Sequence, residues 1–216
     1  MKEGPAMSGD PDTPEAEDGR DAAWVTVETP LTAPELRAFC REDVERLFRI
    51  NSLLRFDEWR RIGENDHHLR LRNLSNERTL ETDLHVEALP DGLRVVYGGG
   101  LKTTTDFQVA EADGGATLTV TDDYSGTPLE ERRTRAGEVD RSLVQWGHDL
   151  RHYLARWHRW SRYAPWRWYM NRVWQPMTPA GRRVVFALVV ISALEFVAFL
   201  GVMTIFVLEL DKFIGL

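Results

Sequence analysis

In the middle of the chain apolar and polar residues alternate, while on either side of that stretch apolar residues recur every three or four positions. Trp24-Val-Thr-Val-Glu-Thr alternates as a strand does. Pro34 follows Thr32 as a first-turn proline follows a cap. From Glu35 to Leu54 the apolar Leu36, Phe39, Cys40, Val44, Leu47, Phe48 and Ile50 then fit one or two short amphipathic helices. From His67 the period is two: His67-Leu-Arg-Leu-Arg-Asn, Thr79-Leu-Glu-Thr-Asp-Leu-His-Val-Glu, Leu93-Arg-Val-Val-Tyr, Thr103 to Val109 and Thr117 to Val120. Turn signals at Pro90-Asp-Gly and Asp113-Gly-Gly separate these runs, which predicts five or six strands in an antiparallel meander. After Gly126 and Pro128, Val139, Leu143, Trp146, Leu150, Leu154 and Trp157 form the apolar stripe of a long helix from Gly137 to Arg159. A curled sheet with one bare face, followed by such a helix, predicts an α+β fold with the helix laid across the concave side.

The two ends differ in kind. Residues 1–23 lack apolar periodicity, carry prolines at 5, 11 and 14 and hold seven acidic residues against Lys2 and Arg20, which is the pattern of a solvated tail. They have neither the basic start nor the apolar stretch of a secretory signal. Val184 to Leu208 is apolar apart from Ser192, Glu195 and Thr204. That is long enough to cross a hydrocarbon core of roughly 30 Å as a single transmembrane helix, leaving 209–216 as a short tail. From Arg141 to Arg183 nine arginines face only Asp149, so the positive-inside rule puts the amino-terminal domain in the cytoplasm in a tail-anchored, single-pass topology. An arginine-rich, lysine-poor composition is that of a GC-rich bacterial genome, which makes the expected membrane a bacterial inner membrane.

The order of elements across 24–162 resembles the START-like helix-grip superfamily, also called SRPBCC or polyketide-cyclase-like proteins. The most similar stretch runs from Ala33-Pro-Glu-Leu-Arg-Ala-Phe to Asn51-Ser-Leu-Leu-Arg-Phe-Asp-Glu-Trp. There short helices lead into the second strand through a segment like the family's Asn-Pro-x-Leu, with Ser52 where a proline is usual. The resemblance implies a sheet gripping a long carboxyl-terminal helix around an apolar cavity, and hydrophobic-ligand binding, lipid or quinone handling, or cyclase chemistry. The expected lining is Leu69, Leu71, Leu84, Val86, Tyr97, Phe107 and Val120 from the sheet, with Leu143, Trp146 and Leu150 from the helix; Leu80, Val95 and Leu118 share the inward register, as does Trp157. A filled core without a cavity fits the same pattern. Tyr97 and Trp146 are the candidate polar groups within the cup.

Tyr153 to Trp174 concentrates five of the eight tryptophans and three of the five tyrosines, interleaved with arginines. Next to a span, Trp157, Arg159, Trp160, Arg162, Tyr163, Trp166, Arg167, Trp168, Tyr169, Arg172 and Trp174 form a membrane-interface collar over 163–183 and the turn before it, broken at Pro165. Its partners are membrane lipids, and its place beside the anchor favours lipid over single-stranded nucleic acid. Within the span Glu195 is flanked by Ser192 and Ala198, a small polar patch for a partner membrane protein or a second copy, or simply a protonated carboxyl.

Composition adds exclusions. The 216 residues are 43% hydrophobic, enough for one core, and the single cysteine excludes an intrachain disulfide. The net charge of −7 sits mainly outside the arginine-rich stretch. His148 and His152 have the spacing of two metal ligands but no His-Glu-x-x-His, so no metal and no cofactor is expected. Gly98-Gly-Gly lacks the rest of a phosphate loop, and Cys40 reads as packing. No catalytic constellation emerges; a cyclase would need a base such as His85, Tyr97 or Asp106. Three functions follow: a membrane-anchored hydrophobic-ligand binder, an accessory or assembly subunit of a membrane complex, and a polyketide cyclase or aromatase.

Overall fold

The computed structural model describes residues 21–134 and 141–214. Of the tail expected over 1–23, residues 1–20 lie outside the described residues and Ala22 and Ala23 belong instead to the first strand, paired with Asp123 and Asp122; the first turn of the long helix expected at 137–140 also lies outside the described residues. Seven strands, β1 (Ala22–Thr29), β2 (Leu54–Arg61), β3 (Asp66–Asn73), β4 (Arg78–Leu89), β5 (Gly92–Tyr97), β6 (Thr104–Ala112) and β7 (Gly115–Asp123), form one antiparallel sheet in the order β1-β7-β6-β5-β4-β3-β2. β2 to β7 pair in sequence order, and β1 closes on β7 from Ala22 against Asp123 to Thr29 against Ala116. A register shift between Phe56 and Glu58 bends β2, which helps the sheet curl.

The inward register is the expected one. Leu69, Leu71, Leu84, Val95, Phe107, Leu118 and Val120 are buried, and Leu80, Val86 and Tyr97 half-buried. The face also holds Leu93, Thr105, Val109 and Asp122.

Helices α1 (Ala33–Glu42) and α2 (Val44–Ile50) follow β1. Thr32 starts α1 with a capping box: Glu35 Oε2 accepts from the Thr32 backbone N–H at 2.9 Å and from its hydroxyl at 2.8 Å. These bonds hold the Glu35 carboxyl below its ordinary value. Asp43 ends α1 and caps α2 by accepting from the Arg46 N–H at 3.2 Å. α1 lies over β5, β6 and β7, completing the cover of the concave face.

After the short α3 (Leu129–Thr134), the long helix α4 spans Leu143–Trp160. It packs most closely on β1, at Gly147, where a Cβ would stand 2.5 Å from Val25. Asn51 pins the loop before β2 to this helix: its Nδ2 donates to Ser142 Oγ at 2.8 Å, and its Oδ1 accepts from the Leu53 N–H at 3.0 Å. The sheet curled over a long carboxyl-terminal helix, with two short helices between the first two strands, is a helix-grip fold.

A turn then leads to α5 (Ala164–Tyr169), a π-helical turn over Met170–Trp174, and α6 (Pro179–Ile214). The helical break falls at Ser161 to Tyr163; Pro165, expected to cause it, sits in the first turn of α5, where its missing N–H has no helical partner to lose. α6 has 36 residues, and no residue of its apolar stretch is buried. It starts five residues before the apolar run because Thr178 caps it: the Gly181 N–H donates to Thr178 Oγ1 at 3.2 Å, with Pro179 at the first helical position.

Candidate functional site

The cup between sheet and helices is not one hollow. Phe48, Phe107 and Trp146 meet at its centre with ring centroids 5.2–6.1 Å apart, and Trp59 extends the cluster to Phe56 and His67. Trp146 is locked there, since its indole N–H donates to the Leu47 carbonyl at 2.9 Å. This aromatic wall leaves a cavity on one side and a more polar recess on the other.

The cavity has a volume of about 280 Å³ and opens beside the β3–β4 turn and the β5–β6 loop. Phe48, Leu54, Leu69, Leu71, Leu80 and Trp146 make its apolar floor; Asn76, Arg78, Thr79, Glu81 and Lys102 stand in its wall and rim. Gly99 and Gly100 border the mouth, and the positive φ of Gly100 (109°) is the conformation that favours glycine in this tight loop.

Behind one side of the cavity a hydrogen-bonded chain joins two of its lining residues, Tyr97 and Lys102. Lys102 Nζ donates to Asp122 Oδ2 at 2.7 Å, and Thr105 Oγ1 donates to Asp122 Oδ1 at 2.6 Å. With its own hydrogen committed to Asp122, Thr105 accepts from the Tyr97 hydroxyl at 3.0 Å. Asp122 and Thr105 are fully buried, so Lys102 and the Thr105 hydroxyl meet the Asp122 carboxyl where solvent does not reach. Tyr97 and Lys102, the two ends of the chain, line the cavity, so a fixed polar edge borders its apolar floor.

Four of the ten expected lining residues, Leu69, Leu71, Tyr97 and Trp146, line this cavity. Leu84, Phe107, Val120, Leu143 and Leu150 do not: they are buried in the packed centre, where large side chains leave no space. Val86 instead faces the second recess, about 500 Å³ in volume, together with Cys40, Asp43, Trp59 and His67. There the Trp59 indole N–H donates to His67 Nδ1 at 3.2 Å, and burial lowers the His67 pKa. Burial also pushes the Cys40 thiol up to about 12, leaving it an inert packing group.

His85 and Asp106, the candidate bases for a cyclase, point away from the cup. His85 Nδ1 lies 2.7 Å from Asp66, and Asp106 takes a two-pronged 2.7 Å contact from Arg94. Each sits one residue out of the inward register. Sequence pattern does not single out Asp122 and Lys102, although Asp122 continues the alternation Leu118, Val120 by one step and so places a carboxylate on the apolar face.

The aromatic collar divides in two. Trp157, Trp166 and Trp174, expected at the headgroup level, instead pack on the domain, because Trp157 extends the stripe of α4 and the turn after it folds back. Trp157 meets Phe39 at 5.3 Å and Trp166 at 5.6 Å, and Trp174 meets Tyr153 at 5.4 Å. Arg46, itself buried, lies 3.9 Å over Phe39 and 4.8 Å over Trp157. Trp160, Tyr163, Trp168 and Tyr169 are exposed, and so are Arg159, Arg162, Arg167 and Arg172. Ser192, Glu195 and Ala198 are exposed on α6.

The start of α6 is clamped to the domain. Arg182 stacks 3.7 Å over Trp174 and donates to the carbonyls of Arg49 (2.8 Å), Trp174 (3.1 Å) and Gln175 (3.2 Å). Gln175 in turn donates to Asp43 Oδ2 at 2.9 Å. Burial, with Arg49 nearby, brings Arg182 down to about 10.

No family model matches the chain, and no curated protein matches it. Among solved structures it is similar to Ara h 8.0201, at 10% identity over 62% of this chain and 97% of that one, with a TM-score of 0.40. An AHSA1-like protein from Aeromonas hydrophila is 13% identical over 62% of this chain and 94% of its own, with a TM-score of 0.37. A conserved protein from Geobacillus kaustophilus is 10% identical over 63% and 95%, with a TM-score of 0.43.

Proposed function

We propose that this chain is a membrane-anchored START-like domain that binds the apolar part of a lipid or isoprenoid-quinone-like molecule at the cytoplasmic face of a membrane, by expectation the bacterial inner membrane. The observation that carries the reading is the 280 Å³ cavity with its apolar floor and its Tyr97 and Lys102 edge, tied together from behind by Thr105 and Asp122. Its size is near the lower end of ligand pockets, about 300–1,000 Å³, which suits one chain or one ring and not a whole two-chain lipid. Anchoring is supported by α6: at 36 residues it is about 54 Å long, and none of its apolar stretch is buried. The outward arginines and aromatics suit the headgroup layer, and the positive-inside rule gives the orientation.

The cavity and that outward patch lie toward opposite ends of α4. Trp146 is in its first turn and Trp160 in its last, about 21 Å apart along the axis. Cargo therefore travels along the domain to reach the bilayer, which suits delivery to or from a membrane partner. The test is extraction of the full chain in mild detergent followed by mass spectrometry of bound organic molecules. The reading expects about one isoprenoid or single-chain lipid per protein. Loss of that molecule is expected in Thr79→Trp, a rim variant that blocks the mouth without touching the core. Protein that emerges bare, or the same cargo in Thr79→Trp, contradicts it.

A second reading, an accessory subunit of a membrane complex, is favoured by the exposed Glu195 carboxyl with Ser192 and Ala198 beside it. Cross-linking through α6 tests it: wild type should trap a second copy or another membrane protein, and Glu195→Ala should lose the adduct. An unchanged pattern in Glu195→Ala removes this reading.

A further inference from the structure

We propose that the cleft between α2, α4 and the first two turns of α6 binds the phosphate of an anionic phospholipid headgroup. This rests on the reading of α6 as the membrane anchor. The cleft has a volume of about 440 Å³, and it lies where the domain meets the apolar helix.

Its charge is one-sided. Arg156, Arg182 and Arg183 line it against a single acid, Asp149, with His152 beside them. Both Asp149 oxygens are already engaged, Oδ2 by the Ser52 N–H at 2.8 Å and Oδ1 by Gln145 Nε2 at 3.0 Å. Among the described residues neither Arg156 nor Arg183 makes an ion pair, and the one side-chain bond of Arg156 runs to the His152 carbonyl of its own helix. Two exposed arginines thus line a cleft whose one acid pairs with neither of them. Arg182 has a different part, since its four contacts hold the wall in place.

A second observation is independent of charge. Tyr153 lines the cleft at 3% exposure, and its hydroxyl has no hydrogen-bond partner among the described residues. A buried donor in that state is uncommon, and an acceptor arriving with a ligand would satisfy it. Burial holds Tyr153 up at about 12, so it keeps its proton and donates. The first turn of α6, with Pro179 in the lining, adds the positive end of a long helix.

Ile50, Trp174 and Phe186 give the cleft an apolar side, with Ser52 beside them. Inorganic phosphate would leave them unused, whereas the glycerol and first methylenes of a lipid would cover them. A phosphate held by arginines and a tyrosine at the root of the anchor would fix the rotation of the domain over the bilayer.

The test uses the full chain in neutral detergent, with native mass spectrometry after addition of phosphatidylglycerol, phosphatidylcholine or inorganic phosphate. Wild type is expected to retain one phosphatidylglycerol about tenfold more strongly than phosphatidylcholine, undisturbed by inorganic phosphate. Arg156→Gln with Arg183→Gln is expected to abolish that preference, and Tyr153→Phe to reduce it about threefold. Equal retention of the two lipids, an unchanged preference in the double variant, or displacement by inorganic phosphate overturns the assignment. Flotation with phosphatidylcholine vesicles separates the underlying reading: a chain that does not float fails as an anchored protein, while one that floats without headgroup preference fails only here.

Discussion

Two sets of aromatic residues, drawn from the same stretch of about twenty residues and made of the same side chains, end in opposite surroundings. Trp157, Trp166 and Trp174 close against Phe39 and Tyr153, whereas Trp160, Tyr163, Trp168 and Tyr169 face outward. The inward set is tied to arginines that are themselves buried or clamped, Arg46 and Arg182. The outward set is accompanied by exposed arginines, Arg159 over Trp160 and Arg162 over Tyr163. Amphipathic rings serve either setting, so composition alone does not separate a hydrophobic seam from a membrane patch. Phase along the helix and the fold-back of the following turn do. The inward set joins the domain to the root of α6, and the outward set stays on the surface, where the proposed function assigns it to the headgroup layer.

The contrast is broken most directly by truncation on the inward side. Trp174→Ala should destabilise the full chain in detergent by about 3 kcal/mol, because it removes the ring between Tyr153 and Arg182 and leaves the guanidinium without its stacking partner. Urea unfolding followed by circular dichroism measures this; a loss under about 1 kcal/mol would place Trp174 with the outward set.

A smaller effect, about 1–2 kcal/mol, is expected from Ser52→Pro, measured the same way. The Ser52 N–H donates to Asp149, and proline has no N–H to give. If Ser52→Pro is as stable as wild type, the link from this loop through Asp149 to α4 is decorative.

Tyr153 offers a spectroscopic check on the inward side. Burial holds its hydroxyl up at about 12, so the stabilising neutral form is complete below pH 10 and is lost as the pH rises toward 12. Arg182, brought down to about 10 by burial, acts in the opposite sense on stability, so phenolate absorbance is the cleaner readout. The difference between wild type and Tyr153→Phe should develop near pH 12; development near pH 10 would mean an open site.

The smallest effect on stability, within about 0.5 kcal/mol, is expected for Trp168→Ala, whose ring is 63% exposed. The same variant should weaken binding to anionic vesicles more than Trp166→Ala does, with both measured by co-sedimentation. Equal weakening by both would erase the distinction.

Much of the fold is legible because strand alternation is local and strict. In β7 every second residue from Ala116 to Asp122 is buried, and the turns that separate the strands are marked by glycine, proline and aspartate. The site is less legible. Periodicity says which side chains face inward but not how completely they fill the space, and Phe48, Phe107 and Trp146 fill the centre that a count of apolar positions leaves open. Asp122 and Lys102 come together from β7 and the loop before β6, a pairing that depends on register between strands and not on spacing within one. The departure at Ser52 acquires a reason only with α4 beside it, and Thr178-Pro179 carries a start signal that the stronger apolar run at Val184 obscures.

Occupancy of the cavity is the central claim, and titration of a fluorescent single-chain fatty acid into the delipidated full chain measures it directly. Saturation at one probe per chain, with affinity reduced about tenfold or more in Thr79→Trp, is the predicted result. Linear, non-saturating uptake, or identical saturation in wild type and Thr79→Trp, would mean that the probe binds elsewhere and that the cup is not a ligand site.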